Sequence, residues 1–177
     1  RVLFRSQVIA TGGLSDLAKE SVTNISAVVK KLTGKDIQDY DLHVQFPGTH
    51  NVDGDSASIT MATAIISAFE GVPIDQNLAM TGSLSVRGEV LPIGGVSAKI
   101  EAAVKSGIER VIIPRSNLQD VLIDEKYESM VEVLPVDSLD EVLQHALVGA
   151  EEKVSLVERL ANVIDTISSG ADTQPSA

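Results

Sequence analysis

The chain of 177 residues carries a net charge of −11, which argues against a nucleic-acid-binding surface, because such surfaces concentrate Lys and Arg. It contains no cysteine, so disulfides, thiolate metal sites and cysteine nucleophiles are excluded. With 44% hydrophobic but only 3% aromatic residues, it can bury a sizeable core built from Val, Ile, Leu and Ala.

Apolar spacing predicts an alternation of strands and helices along most of the chain. An apolar period of two, or a short apolar run, indicates a strand, and a period near 3.6 indicates a helix. The predicted strands are 2–10, 41–46, 78–86, 89–93, 110–114 and 130–136, and the predicted helices are 14–32, 56–70, 96–106, 118–123, 139–147 and 151–167. This order predicts a mixed α/β (α+β) fold, with a turn at Arg87-Gly88 joining the third and fourth strands.

The composition also predicts how the chain is divided. We expect one main domain over residues 1–148, a C-terminal amphipathic helix over 149–168 and a disordered polar tail over 169–177. Because the chain begins with Arg1 and not with Met, we expect it to be a fragment of a longer protein or a processed product.

Ser56 stands at the start of the predicted helix 56–70, directly after a polar loop. A serine in this place is most often an N-cap, whose oxygen accepts a hydrogen bond from the first helical turn. However, Asp53 and Asp55 flank it, and a helix N-terminus can stabilise negative charge that develops on a substrate oxygen. The residues alone leave both an N-cap and a nucleophile open.

Lys99 is predicted in the first turn of the helix 96–106, where the positive end of the helix dipole disfavours its charge. Its neighbours Val96, Ala98 and Ile100 are apolar, and burial lowers the pKa of a lysine. A neutral amine can take the proton of a serine hydroxyl, which suggests a Ser-Lys hydrolase. Against this, most lysines are simply solvated.

Other familiar sites do not fit. The sequence has no P-loop, because Gly34-Lys35 is followed by Asp36, and Ser58 replaces the last glycine of a Gly-x-Ser-x-Gly elbow. The three histidines have no metal-ligand spacing, and Ala57 stands where a calcium loop would need a ligand. His50 could serve a Ser-His pair, although nothing in the sequence fixes its orientation.

Two separated motifs resemble the proteolytic domain of Lon proteases. They are Phe46-Pro47-Gly48 through Asp53-Gly54-Asp55-Ser56-Ala57-Ser58, and Thr81-Gly82-Ser83 through Pro92-Ile93-Gly94-Gly95-Val96 to Ala98-Lys99. The Asp-Ser-Ala-Ser form is similar to the B-type Lon of archaea and some bacteria, and the resemblance covers about residues 7–147.

The resemblance implies the Lon proteolytic-domain fold, in which mixed sheets pack with helices, with the first hairpin of the family truncated. It implies Ser56 as the nucleophile of a serine endopeptidase and Lys99 as its general base. Thr81 matches a threonine that hydrogen-bonds the lysine amine, and Asp53 matches an acidic position that can pair with the lysine in B-type relatives. For Asp55 we expect a helix cap. No cofactor or metal is implied for this domain.

The resemblance also implies partners. It predicts unfolded or misfolded protein substrates, a hexameric ring, and a covalently linked ATPase module, outside this chain, that would bind ATP and Mg. It implies a cytoplasmic location, with a membrane anchor upstream in some relatives. A non-catalytic Lon-like assembly module is the main alternative, and Ser56, Lys99 and Thr81 together argue against it. A second alternative is a Ser-Lys amidase or a signal-peptidase-like enzyme. Such an enzyme would favour an apolar surface patch or an anchor, and we expect neither from this sequence.

Overall fold

The computed structural model describes residues 8–11, 15–46 and 54–149, together with Leu156, Glu158 and Asn162. The elements in chain order are β1 (Val8–Thr11), α1 (Asp16–Thr33), a 3-10 helix (Ile37–Asp39), β2 (Leu42–Gln45), α2 (Ser58–Glu70), β3 (Leu78–Met80), β4 (Ser83–Leu84), β5 (Val90–Leu91), α3 (Val96–Lys105), β6 (Arg110–Pro114), a second 3-10 helix (Arg115–Asp120), α4 (Glu125–Glu128), β7 (Glu132–Val136) and α5 (Leu139–Ala146).

The described strands form three small sheets. β1 pairs with β2 in parallel, β4 and β5 form an antiparallel hairpin, and β3, β6 and β7 form a parallel sheet with β6 in the centre. The central strand carries an uninterrupted apolar run, Val111-Ile112-Ile113, as expected of a strand covered on both faces. The predicted mixed α/β class is confirmed.

The side chains of β6 alternate between two apolar clusters. Ile112 belongs to the larger cluster, formed with α1, α2 and α5, whereas Val111 and Ile113 belong to a smaller cluster under α3. Successive side chains of a strand point to opposite faces of the sheet. Consequently α2 and α3 cover opposite faces of this sheet. Thr81 directly follows the last residue of the edge strand β3 of the same sheet.

Two predicted elements differ from the structure. The segment 78–86 is not one strand, because its halves pair with different partners: β3 with β6 in parallel, and β4 with β5 in the hairpin. The predicted helix 118–123 is replaced by the 3-10 helix Arg115–Asp120, which ends there because the backbone of Val121 is extended (φ −77°, ψ 106°). Of the predicted strand 2–10, the part within the described residues lies in β1 (Val8–Thr11), and residues 2–7 lie outside the described residues.

The C-terminal predictions fall almost entirely outside the described residues. Within 151–167 the structure describes Leu156, Glu158 and Asn162, which are helical, and Leu156 is buried in the larger cluster. The predicted tail 169–177 also lies outside the described residues.

Candidate active site

The structure brings Ser56 and Lys99 together. The Lys99 Nζ atom lies 2.9 Å from Ser56 Oγ, although the two residues are 43 positions apart in the sequence. Both side chains are half-buried. Ser56 lies in a turn two residues before α2, which begins at Ser58 with Ala57 in the N-cap position and no side-chain cap hydrogen bond. The Ser56 hydroxyl is therefore not used as the helix cap that a serine at a helix start usually provides.

Gly82 fixes the main chain of Ser56. The Gly82 N–H donates to the Ser56 carbonyl oxygen at 2.8 Å, and the Gly82 carbonyl oxygen accepts from the Ile59 N–H at 3.3 Å. A β-carbon at Gly82 would lie only 3.0 Å from Ile59 Cδ1 and 3.1 Å from Val90 Cγ1. The absence of a side chain at this position therefore allows the strand segment to approach the nucleophile turn closely.

Lys99 is the fourth residue of α3, and the left-handed conformation of Gly95 (φ 70°) starts this helix. Its Nζ atom also lies 3.2 Å from Thr81 Oγ1, and the Thr81 hydroxyl donates to the Ser56 carbonyl oxygen at 3.2 Å. Burial lowers the pKa of Lys99, and the negative charge of Asp55 opposes this shift in part. The amine is thus more easily deprotonated than an ordinary lysine.

Ser56 and Lys99 line an open cavity of about 440 Å³. The other lining residues are Gly54, Asp55, Pro92, Ile93 and Gly94. A larger cavity of about 640 Å³ lies elsewhere, beside the amino ends of β6 and β7, and no lysine or histidine lines it. The smaller cavity is the candidate active site, because it contains the close pair of hydroxyl and amine.

This geometry agrees with the comparison with known families, in which residues 2–149 match the family described as the Lon protease (S16) C-terminal proteolytic domain. The chain belongs to this family. It is 54% identical to the "Archaeal Lon protease" of Methanothermobacter thermautotrophicus over 164 residues, covering 92% of this chain and 25% of the relative. It is 55% identical over 154 residues to that of Archaeoglobus fulgidus, covering 86% of this chain and 25% of the relative.

A "Lon protease" of the bacterium Azorhizobium caulinodans is more distant, with 36% identity over 163 residues that cover 88% of this chain and 19% of the relative. The predicted resemblance to the archaeal B-type Lon domain and the predicted peptidase class are therefore confirmed. The chain spans about a quarter of the length of the archaeal relatives.

Asp55 of this Lon domain has a different partner from the helix cap that the sequence predicts. Its carboxylate accepts a short hydrogen bond from the Ser83 hydroxyl, and Ser83 is buried. The main-chain oxygen of Asp55, and not its carboxylate, accepts the Ser58 N–H at 2.9 Å. The carboxylate therefore links the nucleophile turn to β4. Asp53 and His50 lie outside the described residues.

No group of three or more His, Cys, Asp or Glu residues that could hold a metal ion is found in the part of the Lon domain that the structure describes. Over the same part, no helix has the length and apolar character needed to cross a membrane. The side chains that line the candidate active site include the hydroxyl of Ser56, the amine of Lys99 and the carboxylate of Asp55.

Two residues that shape the Lon site have no role predicted from the sequence. Ser83 lies within the second motif, but its bond to Asp55 depends on the hairpin position of β4. The Asn117 amide bonds to the main chain of Ile93, 24 positions earlier. A main-chain partner leaves no pattern in side-chain types, so no signal in the sequence indicated this contact.

Proposed function

We propose that this domain hydrolyses peptide bonds with Ser56 as the nucleophile and Lys99 as the general base. The observation that carries the proposal is the 2.9 Å contact between Lys99 Nζ and Ser56 Oγ, in which a lysine of lowered pKa meets a hydroxyl that caps no helix. A nucleophile within hydrogen-bond reach of its base is the arrangement that covalent catalysis by serine requires.

The reaction would proceed in two halves. Ser56 Oγ attacks the peptide carbonyl carbon while the neutral Lys99 amine takes the hydroxyl proton. Lys99 then donates this proton to the leaving nitrogen, the C–N bond breaks, and the acyl group remains on Ser56 as an ester. Lys99 then takes a proton from a water molecule, which attacks the ester carbonyl carbon. The bond between this carbon and Ser56 Oγ breaks, Lys99 returns the proton to Ser56 Oγ, and the carboxylic acid product leaves. The amine ends each half in its original state.

The oxyanion of the tetrahedral intermediate needs N–H donors beside Ser56. The Ser58 and Ile59 N–H groups at the start of α2 already donate to the main-chain oxygens of Asp55 and Gly82. We therefore assign the oxyanion to the N–H groups of Ser56 and Ala57, which are not part of these bonds. Removing one oxyanion donor costs about 3–4 kcal/mol in other hydrolases.

Thr81 would orient the base in this mechanism. Its oxygen is 3.2 Å from Lys99 Nζ, while its own proton is donated to the Ser56 carbonyl oxygen. This arrangement leaves the Thr81 lone pairs for an N–H of the amine and so directs the nitrogen lone pair toward Ser56. Thr81 thereby ties the base and the nucleophile turn to one point at the end of β3.

For the whole protein, we propose an ATP-dependent protease of unfolded or misfolded proteins. The support is that the archaeal relatives are called Lon proteases and that this chain covers only about a quarter of their length. The remaining length would include the ATPase module, which would bind ATP and Mg, and the assembly would be a hexameric ring. A cytoplasmic location belongs to the same proposal, because that compartment supplies the ATP. This domain would itself need no cofactor.

The non-catalytic assembly module, the alternative that the sequence leaves, is less well supported. Burying part of a lysine amine costs free energy that a purely structural surface avoids. Here the amine is brought to two hydroxyl groups, Ser56 and Thr81, in an open cavity, which serves chemistry rather than assembly.

The test is to treat the chain with a fluorophosphonate probe and to locate the adduct by peptide mapping. We expect the adduct on Ser56, and an adduct on another residue would overturn the assignment. Lys99→Ala should reduce hydrolysis of a fluorogenic peptide by about 10²–10⁴-fold, the usual contribution of a general base. The matched control is Lys105→Ala on the same helix. The exposed amine of Lys105 pairs with Glu101 at 3.2 Å, away from Ser56, so this variant should hydrolyse the peptide at the wild-type rate.

A further inference from the structure

We propose that Asn117 is a positioning residue for substrate binding. It acts through the main chain of Ile93, which forms part of the wall of the cavity (the cleft) that contains Ser56 and Lys99. The proposal rests on the peptidase function proposed above and adds to it a residue that does not line the cavity. Asn117 lies in the 3-10 helix that follows β6, and its side chain is only 3% exposed.

The side-chain amide of Asn117 forms two hydrogen bonds with the main chain of Ile93. The Ile93 N–H donates to Asn117 Oδ1 at 2.8 Å, and Asn117 Nδ2 donates to the Ile93 carbonyl oxygen at 3.0 Å. The amide thus replaces the neighbouring strand that would pair with Ile93 in a sheet. The second hydrogen of Nδ2 is donated to Asp120 Oδ2 at 2.9 Å, which fixes the orientation of the amide.

The gripped residue belongs to the cleft. Pro92, Ile93 and Gly94 line the same cavity as Ser56 and Lys99. Two glycines follow Ile93 in the loop to α3, and glycine gives a loop wide conformational freedom. The bonds to Asn117 therefore hold the wall in one conformation before a peptide arrives, which reduces the ordering cost of binding.

The same segment also holds the helix that carries Lys99. The Ser97 hydroxyl donates to the Asp120 carbonyl oxygen at 3.0 Å and accepts from the Leu122 N–H at 2.9 Å. Ser97 lies two residues before Lys99 in the first turn of α3. Residues 117–122 therefore fix the position of the cleft wall relative to the base.

A purely structural role for Asn117 makes a different prediction. A structural role alone would lower thermal stability and leave the Michaelis constant of the folded enzyme unchanged. A positioning role raises KM for a peptide, which must bind along the wall, but leaves the reactivity of Ser56 toward a small fluorophosphonate intact. These two readouts separate the roles.

The main variant is Asn117→Asp, which keeps the shape of the side chain but loses both amide hydrogens. The new carboxylate would face the Ile93 carbonyl oxygen and the Asp120 carboxylate, so the grip on Ile93 should be lost. We expect KM for a fluorogenic peptide to rise about tenfold, the equivalent of losing one or two hydrogen bonds. Labelling of Ser56 and kcat should stay within about twofold of wild type.

The matched control is Asn77→Asp, the same change at an exposed amide that lies 3.4 Å from the Glu109 carboxylate. We expect its KM to equal that of the wild type. An Asn117→Asp variant that is folded and labelled normally, with the KM of this control, would overturn the proposal.

A second variant covers the case in which Asn117→Asp does not fold. Asp120→Ala removes the exposed carboxylate that orients the amide and should raise KM in the same direction, by a smaller factor. Because it removes a negative charge where the first variant adds one, agreement between the two excludes a simple charge effect. An unchanged KM in Asp120→Ala would count against the proposal.

Failure of the proposed function itself has its own signature. If wild-type chain is not labelled at Ser56, the peptidase mechanism is wrong. If the wild type is labelled and hydrolyses the peptide but the Asn117 and Asp120 variants match it, only the positioning role is wrong.

Discussion

The substitution Thr81→Val tests how the base is oriented. Valine has nearly the same shape as threonine, so the buried site, which is 7% exposed, remains filled. The change removes two hydrogen bonds, one between Thr81 Oγ1 and Lys99 Nζ and one to the Ser56 carbonyl oxygen, both at 3.2 Å. That carbonyl keeps its 2.8 Å bond from the Gly82 N–H, so no buried acceptor is left without a partner.

The magnitude follows from these contacts. A net hydrogen bond contributes about 0.5–1.5 kcal/mol, and both bonds here are long. We therefore expect a loss of about 1–2 kcal/mol from the transition state, which lowers kcat about 5- to 30-fold with little change in KM. The free energy of unfolding should fall by about 1 kcal/mol, which lowers Tm by about 2–4 °C for a chain of this size.

The assay is steady-state hydrolysis of a fluorogenic peptide together with calorimetry. The control is Thr63→Val, the same change at a fully buried hydroxyl that donates to the Ile59 carbonyl oxygen inside α2 at 2.7 Å. Its kcat should match the wild type. A Thr81→Val kcat within about twofold of this control would refute the reasoning, and so would a loss above about a thousandfold, which two neutral hydrogen bonds cannot supply.

Three more predictions concern the charge and the shape of the site. Because Lys99 must be neutral to act, kcat/KM should rise with pH through a pKa below the ordinary lysine value. Asp55→Asn removes the negative charge that raises this pKa, so it should move the rise in kcat/KM to lower pH. A shift of the rise to higher pH would contradict the assignment. Gly82→Ala should lower both kcat and Tm, because its β-carbon would press on Ile59 at an overpacking cost of about 1–3 kcal/mol. A variant that matches wild type in both measurements would show that the close approach is unimportant. Asp53→Ala tests the pairing of Asp53 with Lys99 that the resemblance implies. A carboxylate beside the amine would raise its pKa and hold it charged, so we expect faster peptide hydrolysis and a shifted pH profile, and if neither changes, the hypothesis is wrong.

The sequence was most informative where local patterns decide the structure. The predicted ranges of α1, α2, α3, α5 and β6 agree with the structure within a few residues, because the spacing of apolar residue types shows which face of an element is buried. The place of Lys99 in the first turn of α3 follows from the same pattern. Its nearness to Ser56 does not, since periodicity within each helix says nothing about which helix ends meet.

Tertiary contacts explain the misplaced elements. Nothing in the apolar pattern of 78–86 indicates that the strand changes sheets at Thr81-Gly82, which depends on the packing of Gly82 against α2. Asp55 next to a helix start suggests a cap, but the buried hydroxyl of Ser83 is the partner of its carboxylate. Both outcomes depend on residues that are distant in the sequence.

The distance along the chain between Ser56 and Lys99 has a consequence for synthesis of the protein. The amine reaches the hydroxyl only after α2, α3 and the end of β3 have packed together. A chain still leaving the ribosome, or one that has partly melted, carries only an ordinary serine and an ordinary lysine. Under the proposed mechanism, peptidase activity therefore depends on this tertiary packing, so a copy that has not yet formed it cannot digest its neighbours.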